Sequence, residues 1–361
     1  MKGIRAAVLG AGGMGETVIS HLKSCPEVDA IIAYDLDPAR VRDKVRRFSI
    51  RGASDLGEIL ADPATALVCV TASNDAHKDL TLRSIEAGKA VLCEKPMANT
   101  LGDSLEMVEA AERKGTFFQI GFELRYSRLY TTVMEWIEAG LLGRIVNVSC
   151  RYVCSEFHHK GSWRNVKATN SSMFGEKLSH YVDLPRWWIG SEVVEVYSAC
   201  APNVIPYYEV RDNYHTVCRF ADGAVSQLTF LMAPAATFDG DPLQNVIDQQ
   251  KGDGHELRYL VQGTKGVAET DVFNRTIKRW EFGDSPECMT SRWVEALTWP
   301  GEEDGRYFHN TLDQTHDVVR RVRQGLPPRT SARDSYETMR VCFAAELSAD
   351  TGKPVRLDAL G

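Results

Sequence analysis

Short apolar runs alternate with stretches of helical spacing through the first 122 residues. Residues 6–9, 30–34, 66–71 and 90–93 are apolar at nearly every position, the mark of strands buried on both faces. Residues 16–23, 38–46, 75–87 and 100–114 carry helix spacing, and Thr100 with Asp103 opens the last as a capping box. A weaker strand is predicted over 48–53, and 117–122 closes the series. Strands and helices alternating at this interval predict an α/β chain with a parallel, doubly wound sheet. From residue 123 the pattern changes. A helix over 128–139 leads to a strand over 144–154, a polar loop over 155–170 and a helix over 173–189. Strand patterns then dominate at 192–200, 214–220, 224–232, 256–261 and 276–282, with Asp222-Gly223 as a hairpin turn. Residues 234–254 have no periodicity and read as an exposed loop. Helices over 308–323 and 331–350 finish the chain. The expected layout is one domain over 1–122 and an α+β domain over 123–361, built on a large, open, mostly antiparallel sheet.

A length of 361 residues favours two cores. A net charge of −7 gives no general attraction to nucleic acid. No run approaches the ~18–20 apolar residues of a membrane span, and the first strand follows Met1 too closely for a signal peptide. Nine scattered cysteines, an odd number, do not form a disulfide framework. A reduced, cytoplasmic protein is expected, with neither membrane nor nucleic acid as partner.

Chemistry enters at the end of the first strand. Gly10-x-Gly12-x-x-Gly15 joins it to a helix, the arrangement of a pyrophosphate cradle in a Rossmann domain. Gly10 suits the tight turn, Gly12 a close backbone approach, and Gly15 close helix–strand packing. Asp35 ends the second strand about 20 residues later, where a ribose-binding acid belongs, and Leu36 follows it. This favours NAD, while Arg40 and Arg42 leave a 2′-phosphate, hence NADP, open. Lys95 sits at a strand end before Pro96, which restricts it to extended backbone. Glu176, His180 and Asp183 fall at i, i+4 and i+7, placing a carboxylate beside an imidazole on one helical face.

The motifs Asn74-Asp75-Ala76-His77, Glu94-Lys95-Pro96, Gln119 to Tyr126, Gly143-Arg144-Ile145, Trp163-Arg164, His180-Tyr181-Val182-Asp183 and Gly352-Lys353-Pro354-Val355 occur in order over nearly the whole chain. Together with the glycine turn they resemble the glucose–fructose oxidoreductase/inositol dehydrogenase (Gfo/Idh/MocA) family. The resemblance implies a homo-oligomer, dimer or tetramer, that exchanges hydride between a nicotinamide and a secondary alcohol carbon of a sugar, sugar acid or cyclitol. It implies Lys95, His180 and Glu176 as catalytic, with His180 as base or proton relay. The implied cofactor site is Gly10, Gly12, Gly13, Met14, Gly15, Asp35, Thr71, Asn74, His77, Glu94, Lys95, Trp163 and Arg164, with His77 facing the nicotinamide or its ribose. The implied substrate end is Lys95, Arg125, Tyr126, His158, His159, Lys160, Lys167, Lys177 and His180. Many relatives read Asp-x-Gly-x-His-x-x-Asp at the catalytic helix; here Glu176 and Leu178 replace the first Asp and the Gly.

An alternative on the same scaffold is a redox-neutral, NAD-dependent glycoside hydrolase. It oxidises C3 transiently, eliminates the glycosidic bond, adds water and returns the hydride. The basic loop holding His158, His159, Lys160, Arg164 and Lys167 would there suit an anionic substrate, such as a sulfonated or uronic glycoside. Cys150 and Cys154 share a strand face about 13 Å apart, so no metal site is expected of them.

Overall fold

The computed structural model describes residues 3–156, 158–170, 172–234 and 255–360, in two compact units. The unpatterned stretch between Pro234 and His255 lies outside them. The first unit comprises residues 1–123 and 311–339. It holds β1 (Ile4–Leu9), α1 (Gly13–Ser24), β2 (Val28–Tyr34), α2 (Pro38–Phe48), β3 (Arg51–Gly52) and α3 (Leu56–Ala61). β4 (Thr65–Val70), α4 (His77–Glu86), β5 (Ala90–Cys93), α5 (Leu101–Lys114) and β6 (Phe118–Ile120) follow. The six strands are parallel in the order β3-β2-β1-β4-β5-β6. The chain winds outward from β1 to β3, recrosses to β4 and winds the other way, so the direction reverses beside β1. A doubly wound sheet binds its ligand at the strand ends of that switch point.

Local chemistry sets the element ends. The Asp37 carboxylate accepts the Ala39 N–H, and Pro38 takes the first helical position, where its missing N–H costs nothing. Thr100 caps α5 by accepting the Asp103 N–H at 3.1 Å, as the capping-box pattern predicts. The strand expected over 48–53 shrinks to Arg51–Gly52, because Phe48 continues α2 and Ser49 closes it in a left-handed turn, φ 53°.

The second unit comprises residues 124–310 and 340–361. Its elements begin with α6 (Arg128–Glu138), β7 (Ile145–Ser155), α7 (Lys167–Asn170) and α8 (Ser179–Ile189). There follow β8 (Val193–Ala199), β9 (Asn213–Phe220), β10 (Val225–Ala233), β11 (Glu256–Gly263) and β12 (Gly266–Asp271). The chain ends with β13 (Thr276–Asp284), β14 (Met289–Thr298), α9 (Asp304–Tyr307), α10 (Thr311–Gln324), α11 (Ala332–Thr351) and β15 (Val355–Arg356). Nine strands form one sheet, ordered β14-β13-β12-β11-β7-β10-β9-β8-β15. Among the described residues of this sheet, the β7–β10 pair alone is parallel. Along β9, Tyr214, Thr216, Cys218 and Phe220 point inward while His215, Val217 and Arg219 face out, the period of two of a half-covered sheet.

α6 and α8 pack on the inner face over an aromatic core. Tyr130, Trp188 and Tyr259 meet edge-on or tilted at 5.1–6.0 Å between ring centroids. The Tyr259 hydroxyl donates to the Tyr181 carbonyl at 2.8 Å, so no buried O–H is lost there. β12 and β14 were not among the expected strands. α10 and the first residues of α11 belong to the first unit, whose core takes in Val318 and Val319.

Candidate active site

At the end of β1 the glycine turn is closed by its own backbone. Gly10 has φ +106°, and a Cβ there would lie 2.5 Å from the Ala72 nitrogen. A Cβ on Gly15 would lie 1.9 Å from the Gly10 carbonyl oxygen. Gly12 and Gly13 differ: at Gly12 the nearest atom would be Arg40 Nη1 at 4.0 Å, and at Gly13 nothing lies within 4 Å. This open space at the first N–H groups of α1 is where a pyrophosphate fits, so the turn suits a dinucleotide. Thr71 donates from Oγ1 to the Gly10 carbonyl at 2.8 Å and fixes the turn. Met14 is half-exposed at the same helix start. Asp35 accepts the Ala11 N–H at 2.7 Å on one oxygen and the Asp37 N–H at 2.9 Å on the other. The Asp35 carboxylate is thus oriented by the glycine turn and by the start of α2.

The ends of β4 and β5 bring Asn74, His77, Glu94 and Lys95 to the same edge of the sheet. Asn74 and Glu94 are buried, and Lys95 is half-buried before a cis peptide to Pro96. Gly121 stands where a Cβ would meet the Glu94 carboxylate at 2.8 Å, so the glycine makes room for that acid. The His77 ring is 1% exposed, with Nδ1 2.7 Å from the Pro96 carbonyl and Nε2 3.2 Å from that of Ala72. Burial holds the imidazole below its ordinary pKa. The ring lies between these two carbonyls and ties together the loops after β4 and β5.

In the second unit the predicted helix over 173–189 opens with a π-turn, Phe174–Leu178, before α8. The i→i+5 bonding widens the helix locally where Glu176 sits. Glu176 takes His158 Nε2 at 3.1 Å and Arg164 Nη1 at 3.3 Å on one carboxylate oxygen. His158 is seated by Tyr208, whose hydroxyl accepts its N–H at 3.0 Å and donates to its carbonyl at 3.1 Å. The Arg164 guanidinium lies 5.2 Å from the ring centre of Trp163, which stays partly exposed. His159, Lys160 and Lys167 are exposed on the same loop. His158 and Arg164 therefore share one carboxylate, which pairs with the Arg164 charge.

His180 is buried, its ring centre 5.8 Å from that of His309 in an edge-to-face contact. Lys177 lies with Nζ 3.3 Å from His309 Nε2. An ammonium only donates, so His309 accepts on Nε2 and carries its proton on Nδ1. His309 was not foreseen. It lies far along the chain from His180, and its left-handed backbone, φ 53°, leaves no mark on periodicity. Arg125 also departs from expectation: Nε and Nη2 each donate to Asp183 at 2.7 Å, and both side chains are buried. Two arms of its fork are thus held on α8. Tyr126 is buried, with its carbonyl accepting from Asn310 at 3.2 Å. Cys150 and Cys154 are core thiols, and burial pushes the Cys150 thiol up.

The residues thus form two sets of groups: a dinucleotide cradle with a lysine at its edge, and a histidine–carboxylate–lysine cluster on one helix start. A family model described as an oxidoreductase family with an NAD-binding Rossmann fold matches residues 4–122, and a GFO/IDH/MocA C-terminal domain matches residues 130–269. The chain is 31% identical over 320 residues to inositol 2-dehydrogenase of Streptomyces avermitilis, covering 83% of this chain and 87% of that protein. It is 24% identical over 365 residues to myo-inositol 2-dehydrogenase of Thermotoga maritima, covering 98% and 99%. A solved levoglucosan dehydrogenase, in complex with NADH and levoglucosan, shares the fold at TM-score 0.80 with 21% identity, covering 99% and 100%. Among the described residues no helix is long and apolar enough to cross a membrane.

Proposed function

The chain belongs to the Gfo/Idh/MocA family of NAD-dependent oxidoreductases, and from that premise we propose that it oxidises a secondary alcohol of a neutral sugar or cyclitol. The observation that carries the reading is the cradle, closed by backbone at Gly10 and Gly15, open at Gly12 and Gly13, and flanked by the oriented Asp35 carboxylate. Gly12, Gly13 and Asp35 hold the dinucleotide, which supplies a hydride acceptor. Lys95 Nζ, a donor without a lone pair when charged, steadies the reacting oxygen. His180 takes the hydroxyl proton on a ring nitrogen. Glu176 orients His158 and Arg164 as donors to neighbouring ring hydroxyls. Because Glu176 pairs with the Arg164 charge, a neutral polyol suits this end better than an anionic glycoside.

The test is to incubate the protein and NAD with matched neutral and acidic sugars, cyclitols and glycosides, following NADH absorbance and released sugar together. NADH formation with a neutral polyol is expected. Lys95→Met and His180→Asn should each lower turnover by about a hundredfold or more, the scale of a lost acid–base or electrostatic group. His180→Asn should leave NADH affinity unchanged. Release of sugar without net NADH would refute simple dehydrogenation in favour of redox-neutral hydrolysis. Preference for the acidic partner of each pair would refute the neutral substrate.

A further inference from the structure

Behind the π-turn lies a buried acidic network that the proposed reaction does not use. Glu346, on α11, keeps only 17% of its side-chain surface exposed. It accepts hydrogen bonds from the Tyr214 hydroxyl, from Arg211 Nη1 at 3.0 Å and from Ser172. Arg211 also pairs with Asp350, so the guanidinium is shared between two carboxylates of α11. Burial pushes the Glu346 carboxyl above its ordinary pKa, and these three donors work against that shift.

Ser172 links this network to the turn. A serine hydroxyl has one proton; with that proton given to Glu346, its lone pairs are left to face the Gly175 N–H, which donates to Ser172 Oγ at 3.2 Å. The Ser172 carbonyl accepts the Glu176 N–H at 3.0 Å. The turn is closed by the Ser179 N–H donating to the Phe174 carbonyl, five residues back. Phe174 packs edge-on against Tyr214, ring centres 4.8 Å apart, so the network touches the turn twice. A π-turn is rare against the α-helix it interrupts, and something outside the helix must hold it.

We propose that Glu346, acting through Ser172, is the positioning residue that keeps residues 174–178 in the π-turn and so keeps Glu176 on His158 and Arg164. Glu346 serves as a remote capping acid: it fixes the direction of the Ser172 hydroxyl, which caps the turn. Its importance for turnover rests on the reading of Glu176 given above; its hold on the backbone does not.

The test uses the full chain carrying Ser172→Ala, Ser172→Thr or Glu346→Ala. Ser172→Ala removes one hydroxyl and guards against Glu346→Ala failing to fold. Crystal structures of the alanine variants are expected to show residues 174–178 relaxed to α-helix, with Leu178 N–H bonded to the Phe174 carbonyl and Glu176 turned from His158. Turnover on the best sugar of the panel should fall at least tenfold, while the NADH dissociation constant stays within twofold. Ser172→Thr, which keeps the hydroxyl, should restore both the turn and the turnover. A Ser172→Ala structure that retains the Ser179–Phe174 bond and the Glu176–His158 contact overturns the proposal, whatever its turnover. A relaxed turn with undiminished turnover upholds the positioning role and removes Glu176 from the proposed reaction instead.

Discussion

Replacing Arg125 by methionine distinguishes a structural arginine from a substrate-binding one. The guanidinium makes two 2.7 Å charge-assisted bonds to Asp183, with side-chain exposures of 8% and 2%, and its Cζ lies 5.8 Å from the Trp187 ring centre. Arg125→Met keeps the apolar stem but strips the buried Asp183 carboxylate of both charge-assisted bonds. Breaking a buried pair from one side costs roughly 3–5 kcal/mol, whereas replacing both partners by apolar groups is often near neutral. Arg125→Met/Asp183→Leu should therefore recover most of the loss, with a coupling energy of about 2 kcal/mol or more. At roughly 2–4 °C per kcal/mol for a unit of about 200 residues, the single variant should melt roughly 6–20 °C lower. All seven tryptophans lie in the second unit, so tryptophan fluorescence during thermal or urea unfolding reports on that unit. An Arg125→Met protein that unfolds within about 1 kcal/mol of the parent, yet shows a raised KM for the sugar, would refute the structural role.

Two further outcomes follow. Gly15→Ala should abolish NADH binding measured by fluorescence titration and destabilise the first unit, because its Cβ meets backbone at 1.9 Å, while Gly13→Ala, whose Cβ clashes with nothing in the free protein but enters the space assigned to the pyrophosphate, should weaken NADH binding without lowering stability. His21, between α1 and α10, has its pKa lowered to about 4 by burial and by His316 beside it. The unfolded chain, near 6.5, takes the proton first, so the first unit is fully stabilised above about pH 6.5 and loses stability as pH falls toward 4. With the ring partly exposed, the loss is on the order of 2 kcal/mol. Far-UV circular dichroism during urea unfolding at pH 7 and pH 4.5 checks this, and a His21→Gln variant with the same pH slope as the parent would disprove it.

Much of the first unit was legible in the sequence because its determinants are local. Parallel strands buried on both faces read as unbroken apolar runs, caps such as Thr100 and Asp37 act within three residues, and a glycine turn must sit between its strand and its helix. The sheet of the second unit was legible where strands alternate, as in β9 and β10. It was not at β14, most of whose residues are exposed on both faces and so carry no period of two. Only the tertiary structure returned α10 to the first unit, since an amphipathic helix shows which face is buried but not what buries it. The site divides in the same way. Gly10, Asp35, Lys95 and His180 stood out by position at strand ends or on a helix. The partners of Glu176, the duty of Arg125 and the presence of His309 came from contacts between residues distant in the chain. The π-turn that carries Glu176 lies beside a network ending in Glu346, a residue 170 positions later. Helical spacing assumes 3.6 residues per turn, and nothing local to 173–189 announces the extra residue.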